Sequence, residues 1–221
     1  MLYSEKLPHF AAAHPCKTVT VDGANYRYIL EGNDNGKTLV FLNGGMVAQI
    51  YVQKYPGETG GLVLIATGGM DADTLKSLKK KYFLAPLMLW YMKHCNYEKL
   101  KPTLIKSGMS HIRDESAEEI AYAQDMFETI FKDFKQEKDV HISGLLADLM
   151  KQKPVTEADF AALEGKILLI LPSQDFFSEK MQKDLIKLMH APQISYVSGS
   201  HLSSVLKAYD YIRTIREFLK K

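Results

Sequence analysis

The sequence predicts an α/β fold: a mostly parallel, doubly wound sheet with an inserted all-helical block. Three observations predict it. Apolar runs of strand length stand at 38–42, 62–67, 166–171 and 194–197, each closed by Gly, Pro, Asn or Ser. Stretches of helical spacing separate these runs within each half of the chain. Between Met70 and Gly165 there is no comparable strand signal. Runs that are apolar on both faces are what a parallel sheet sandwiched between helices requires. The expected division is a sheet domain from 1–69 and 165–221, with a helical insertion at 70–164.

In chain order, residues 16–21 alternate in character and end at Asp22-Gly23, a two-residue hairpin signal, with 25–31 as the return strand. The Gly- and Asn-rich segment 32–36 is a loop. The run 38–42 is a strand buried on both faces. Met46, Ile50 and Tyr51 then fall at helical spacing, and Pro56-Gly57 ends that helix. The run 62–67 is the next strand, closed by Gly68-Gly69. Strand, helix and strand make a βαβ unit, whose crossover is expected to be right-handed.

Within the insertion, Asp73 is expected to cap a helix through Lys81, and Pro86 to mark a second start. Ser116-x-x-Glu119 is a capping box opening a helix through Phe134, with Ile120, Ala123, Phe127, Ile130, Phe131 and Phe134 as its apolar stripe. Shorter helices are expected at 140–151 and 157–163, the last capped by Thr156. Most of Tyr82, Phe83, Met88, Trp90, Tyr91 and Met92 are expected to pack between the inserted helices, and the rest to line a pocket. The sheet resumes at 166–171. A helix at 178–189, the strand at 194–197 and an amphipathic helix at 210–221 complete the chain, with Ile212, Ile215, Phe218 and Leu219 turned inward.

A chain of 221 residues with 46% apolar content is expected to build one ordinary core. Its net charge of +2, without a basic stripe interleaved with aromatics, argues against nucleic acid as a partner. Lys79-Lys80-Lys81 reads as a solvated helix face. Cys16 and Cys95 lie far apart without metal-ligand spacing, which suits a reduced, cytoplasmic setting. The N-terminus has no signal-peptide pattern, and no apolar run approaches the ~18 to 20 residues that span a bilayer. No motif asks for a metal or a cofactor, and G-x-G-x-x-G is absent.

Two residues carry the chemistry. Asp175 follows a buried strand through Pro172-Ser173-Gln174, which sets a carboxylate at the carboxyl edge of the sheet, where open α/β sheets hold ligands. There it suits a histidine partner. It equally suits a cap on the turn at 176–178, and the histidine downstream favours the first role. His201 follows the last strand through Ser198-Gly199-Ser200, within reach of that edge and suited to general-base work near neutrality. The other histidines have no such setting. Asn43-Gly44-Gly45 joins a strand to a helix; its backbone N–H groups suit an oxyanion, and a plain glycine-eased turn explains it as well. Gly-x-Ser-x-Gly is absent from the chain.

Acid before base, each after a buried strand, resembles the order in the α/β-hydrolase superfamily, in particular small bacterial hydrolases with a helical lid. The resemblance covers nearly the whole chain. Residues 17–42 look like the first three strands, and the segment from Gly44 to Tyr51 like the helix start after the nucleophile. Residues 70–164 look like the lid, 166–175 like the acid strand and 194–201 like the base strand. Missing between the third strand and that helix are two βα units, roughly 50 to 60 residues, with the serine elbow. In the two possible elbow frames the serine position is Leu42 or Asn43, and neither side chain forms an acyl-enzyme as serine does. The resemblance implies an ancestral serine hydrolase of ester, amide or related acyl bonds, with Asp175 and His201 as acid and base. Where aromatic and methionine side chains of the insertion line a pocket, a small apolar or partly aromatic acyl-type ligand is expected. Lacking the serine, the chain is a hydrolase impaired as written, or else a non-catalytic remnant, a binding module or a deletion variant.

Overall fold

The computed structural model of the chain describes residues 1–21, 24–29, 45–112 and 115–220. The expected turn at Asp22-Gly23, the loop 32–36, the strand 38–42, and Asn43 and Gly44 lie outside the described residues. Helix α1 (Tyr3–Ala13) leads into an antiparallel pair, β1 (Lys17–Val21) and β2 (Ala24–Tyr28). Helix α2 (Gly45–Lys54) precedes β3 (Leu62–Ile65). Five helices follow: α3 (Ala72–Lys81), α4 (Ala85–His94), α5 (Tyr97–Met109), α6 (Ala117–Lys132) and α7 (Gln136–Leu149). A 3₁₀ helix at Glu157–Leu163 returns the chain to β4 (Ile167–Gln174), α8 (Glu179–Leu188) and β5 (Gln193–Ser200). Helices α9 (Ser203–Leu206) and α10 (Ala208–Leu219) finish it.

Among the described residues the parallel sheet is small, with strand order β3-β4-β5. Leu64 lies beside Leu169, and Leu169 beside Ile194. The central strand β4 is buried from Ile167 to Pro172, and alternation divides its side chains between two cores. Ile167, Leu169 and Leu171 join Leu64, Val52, Phe160 and Leu185 on one face. Leu168 and Ile170 meet Tyr211 and Ile215 of α10 on the other. Helices on both faces explain why β4 is a continuous apolar run instead of an alternating one. The first core also takes in Leu75 and Leu78 of α3 and Met150, Val155 and Leu163. The segments on either side of the α4–α7 helices therefore pack with the sheet.

One buried amide joins α2 to the end of β3. Gln49 Nε2 donates to the Gly68 carbonyl at 2.9 Å, and its Oε1 accepts the Met70 N–H at 3.0 Å. This satisfies backbone groups that would otherwise be stranded where the strand stops.

In the helical segment the capping box forms. Ser116 Oγ accepts the Glu119 N–H at 3.2 Å and Glu119 Oε2 accepts the Ser116 N–H at 2.8 Å. These bonds to Ser116 hold the Glu119 carboxyl below its ordinary range. Ser116→Ala is expected to cost about 1 kcal/mol, read as a lower denaturant midpoint at unchanged slope.

The structure departs from the sequence expectation in several places, one being that Ile212 and Leu219 of α10, expected inward, and Ile120 and Ile130 of α6 are exposed. Asp71, not Asp73, caps α3: its Oδ1 accepts the N–H groups of Asp73 and Thr74 at 3.0 and 2.9 Å, and Asp73 sits in the first turn. Helices α1 and α5 carry interior prolines, Pro8 and Pro102, and so lack a clean sequence signal. Contacts to α6 hold α1: the Ser4 backbone N–H and hydroxyl both reach the Asp125 carboxylate. The segment 157–163 winds as a 3₁₀ helix. Finally, α4 packs on α7 with Met92 buried, yet Phe83, Met88, Trp90 and Tyr91 are exposed, Trp90 by 59%. A helix apolar on every side has more hydrophobic surface than one neighbour can cover. Among the described residues no helix is long and apolar enough to cross a membrane.

Candidate active site

The site lies at the carboxyl ends of β4 and β5. The two strands run in register to Pro172 beside Val197, after which Gln174 pairs with Ser200. One residue of β4, Ser173, thus faces two of β5, a bulge at Ser198-Gly199. The bulge is possible because Gly199 adopts φ +117°, a backbone conformation closed to side chains with a Cβ. Its N–H donates to Ser173 Oγ at 3.2 Å. The extra residue re-aims the chain beyond β5 and brings His201 over the end of β4.

There His201 Nδ1 stands 2.8 Å from Asp175 Oδ1. The Asp175 side chain is fully buried, whereas the imidazole is 35% exposed. The same Oδ1 accepts the Phe177 N–H at 3.3 Å, so the carboxylate caps its own turn and contacts the histidine together. Asp175 Oδ2 is buried without a partner among the described residues. Phe176 meets the His201 ring edge-on with centroids 4.7 Å apart, and Phe177 lies 6.1 Å away. Nδ1 is thus the ring nitrogen turned to Asp175, with aromatic rings flanking the imidazole.

Beneath the histidine loop sits a second carboxylate that motif reading did not find. Glu115, from the segment before α6, has a fully buried side chain. Its Oε1 accepts the Ser200 N–H at 3.0 Å, and its Oε2 lies 2.8 Å from Lys207 Nζ. Lys207 Nζ also donates to the Ser198 carbonyl at 3.0 Å. Nearby, Ser203 Oγ and Tyr211 OH are 2.6 Å apart. Burial pushes the Tyr211 phenol above its ordinary range, and the charges of Asp175 and Glu115 add to this, against the opposing effect of Ser203. No local sequence signal points to Glu115, because its partners are Ser200, 85 residues further on at the end of β5, and Lys207 beyond it.

Of the backbone candidates, Asn43 and Gly44 fall outside the described residues. Gly45 opens α2 beside Thr67, close enough that a Cβ there would lie 2.6 Å from the threonine methyl. Gly68 in turn lies against the Phe177 ring, which flanks His201. A chain of contacts therefore links the start of α2 to the histidine along one sheet edge. Among the described residues no group of three or more His, Cys, Asp or Glu side chains is placed to hold a metal ion.

No protein-family model matches the chain. No curated protein sequence matches it either. Solved structures do. The enol-lactonase from Burkholderia xenovorans LB400 superposes with a TM-score of 0.58 at 11% identity, over 80% of this chain and 62% of that one. An alpha/beta hydrolase enzyme from a Medee basin deep-sea metagenome library gives 0.41 at 14% identity, over 80% of this chain and 62% of that one. An esterase gives 0.42 at 16% identity, over 79% and 58%. At such identities the likeness is one of fold. The chain spans less than two thirds of the length of each of these structures.

Proposed function

We propose that this chain, which has the fold of the α/β-hydrolase superfamily, carries the acid and base of a serine hydrolase of acyl bonds without its nucleophile. The observation that supports this reading is the 2.8 Å contact between Asp175 and His201 at the carboxyl edge of a parallel sheet. In it, Asp175 holds the proton on Nδ1 and stabilises the imidazolium, leaving Nε2 to take a proton from an attacking hydroxyl. The hydroxyl is the missing member. No Gly-x-Ser-x-Gly precedes the pair in the sequence. Ser200 is buried, and Ser203 is engaged with Tyr211. In this reading Asn43, Gly44 and Gly45 are what remains of the oxyanion turn, and within 70–164 the helices α4 to α7 are a lid over a small apolar or partly aromatic acyl ligand.

The test has two parts. The chain as it stands is expected to take no label from a fluorophosphonate probe and to show no turnover of short p-nitrophenyl esters. Restoring two βα units with a Gly-x-Ser-x-Gly elbow between Asn43 and Gly44 is expected to create labelling, which His201→Ala and Asp175→Asn then remove. Labelling of the unmodified chain, or labelling of the restored chain that survives His201→Ala, would sink the proposal.

The missing serine and the 62% span of the enol-lactonase favour a second reading, a non-catalytic binding module or a deletion variant. Binding of apolar ligands without turnover supports the former, and the encoding gene read across Leu42 to Gly45 decides the latter.

A further inference from the structure

We infer that Glu115 is the positioning residue of the Asp175–His201 pair, an inference that rests on the functional reading above. Three residues lead from the regular part of β5 to the histidine, and Glu115 and Lys207 hold the last and the first of them. The Ser200 N–H is bound by Glu115 Oε1 at 3.0 Å, and the Ser198 carbonyl by Lys207 Nζ at 3.0 Å. Between them, Gly199 leaves room for the ion pair: a Cβ at this position would lie 2.6 Å from Glu115 Oε1 and 2.9 Å from Lys207 Nζ. The glycine thus serves both the bulge and the pair.

A charged carboxylate with a fully buried side chain is costly unless its charge and lone pairs are matched. Here the Ser200 N–H binds Oε1 and Lys207 Nζ, itself bound to the Ser198 carbonyl, stands 2.8 Å from Oε2, so the burial of Glu115 and the conformation of 198–200 depend on each other. A free loop would present His201 over a range of positions, and the distance to Asp175 Oδ1 would not be held. Glu115 comes from the segment leading into α6, outside the sheet. The helical segment therefore takes part in setting the geometry of the base.

The reporter is the downfield imidazole N–H proton of the full-length chain, visible by nuclear magnetic resonance when the Nδ1–H···Oδ1 bond shields it from exchange. Asp175→Asn is expected to abolish it. If Asp175→Asn leaves it in place, the acid–base reading fails, separately from the role of Glu115. Glu115→Ala is expected to abolish the signal as well. Glu115→Gln keeps an acceptor for the Ser200 N–H and is expected to restore it in part. Lys207→Met is expected to broaden it. Ser116→Ala, which weakens the adjacent helix cap without touching the loop, is expected to leave it at full intensity. Should Glu115→Ala not fold, Glu115→Gln and Lys207→Met decide. Full signal in both of these variants, with loss in Asp175→Asn, overturns the positioning role.

Discussion

Replacing Gly199 with alanine is expected to lower stability by roughly 3 kcal/mol or more and to uncouple His201 from Asp175. Two costs combine. At φ +117° a Cβ strains the backbone, worth about 1 to 3 kcal/mol. The new methyl would also lie 2.6 Å from Glu115 Oε1 and 2.9 Å from Lys207 Nζ. Neither end can swing freely away, because the glutamate is fully buried and the lysine 20% exposed. Something must break: the carboxylate leaves the Ser200 N–H, or the bulge flattens. Gly165 supplies the control. It has φ +70° with no atom within 4 Å of an added Cβ, so Gly165→Ala bears the backbone cost alone. Urea unfolding of both variants separates strain from the clash. Equal losses in the two would mean that the ion pair gives way easily, and that Gly199 matters only as a turn residue.

Leu169→Ala is expected to cost about 3 to 5 kcal/mol, a large part of the roughly 5 to 15 kcal/mol that holds a typical domain together. Leu169 is fully buried at the centre of the middle strand, between Leu64 and Ile194. Its neighbours are fixed by backbone pairing on both sides, so the strands cannot close over the cavity. Because the same strand ends at Asp175, the loss is expected to reach the site as well. Tyr209→Ala, at a position 90% exposed, is the matched control and is expected to change stability by no more than about 0.5 kcal/mol. A loss below about 1 kcal/mol for Leu169→Ala would show that the sheet repacks, contrary to the arrangement described.

The parts of the fold legible in the sequence are those dictated by local chemistry. A run such as Ile167-Leu168-Leu169-Ile170-Leu171 can be stable only between two apolar layers, and it lies between α10 and the opposite helices. The Ser116–Glu119 capping box was equally legible, since both of its bonds lie within four residues. Helix α1 was not, because its hold comes from Asp125, far along the chain. Nor was the exposure of α4, whose apolar composition argues for burial that its packing on α7 does not provide.

The same division runs through the candidate site. Sequence alone determined that a carboxylate and an imidazole follow two buried strands, in that order, and that no Gly-x-Ser-x-Gly precedes them. Only the tertiary structure decided that the two side chains lie 2.8 Å apart, that a bulge at Gly199 aims the histidine, and that Glu115 supports it from outside the sheet. Strand-end chemistry is local, and residue order records it. A buried charge is matched through space by groups distant in the chain, and residue order carries no record of that.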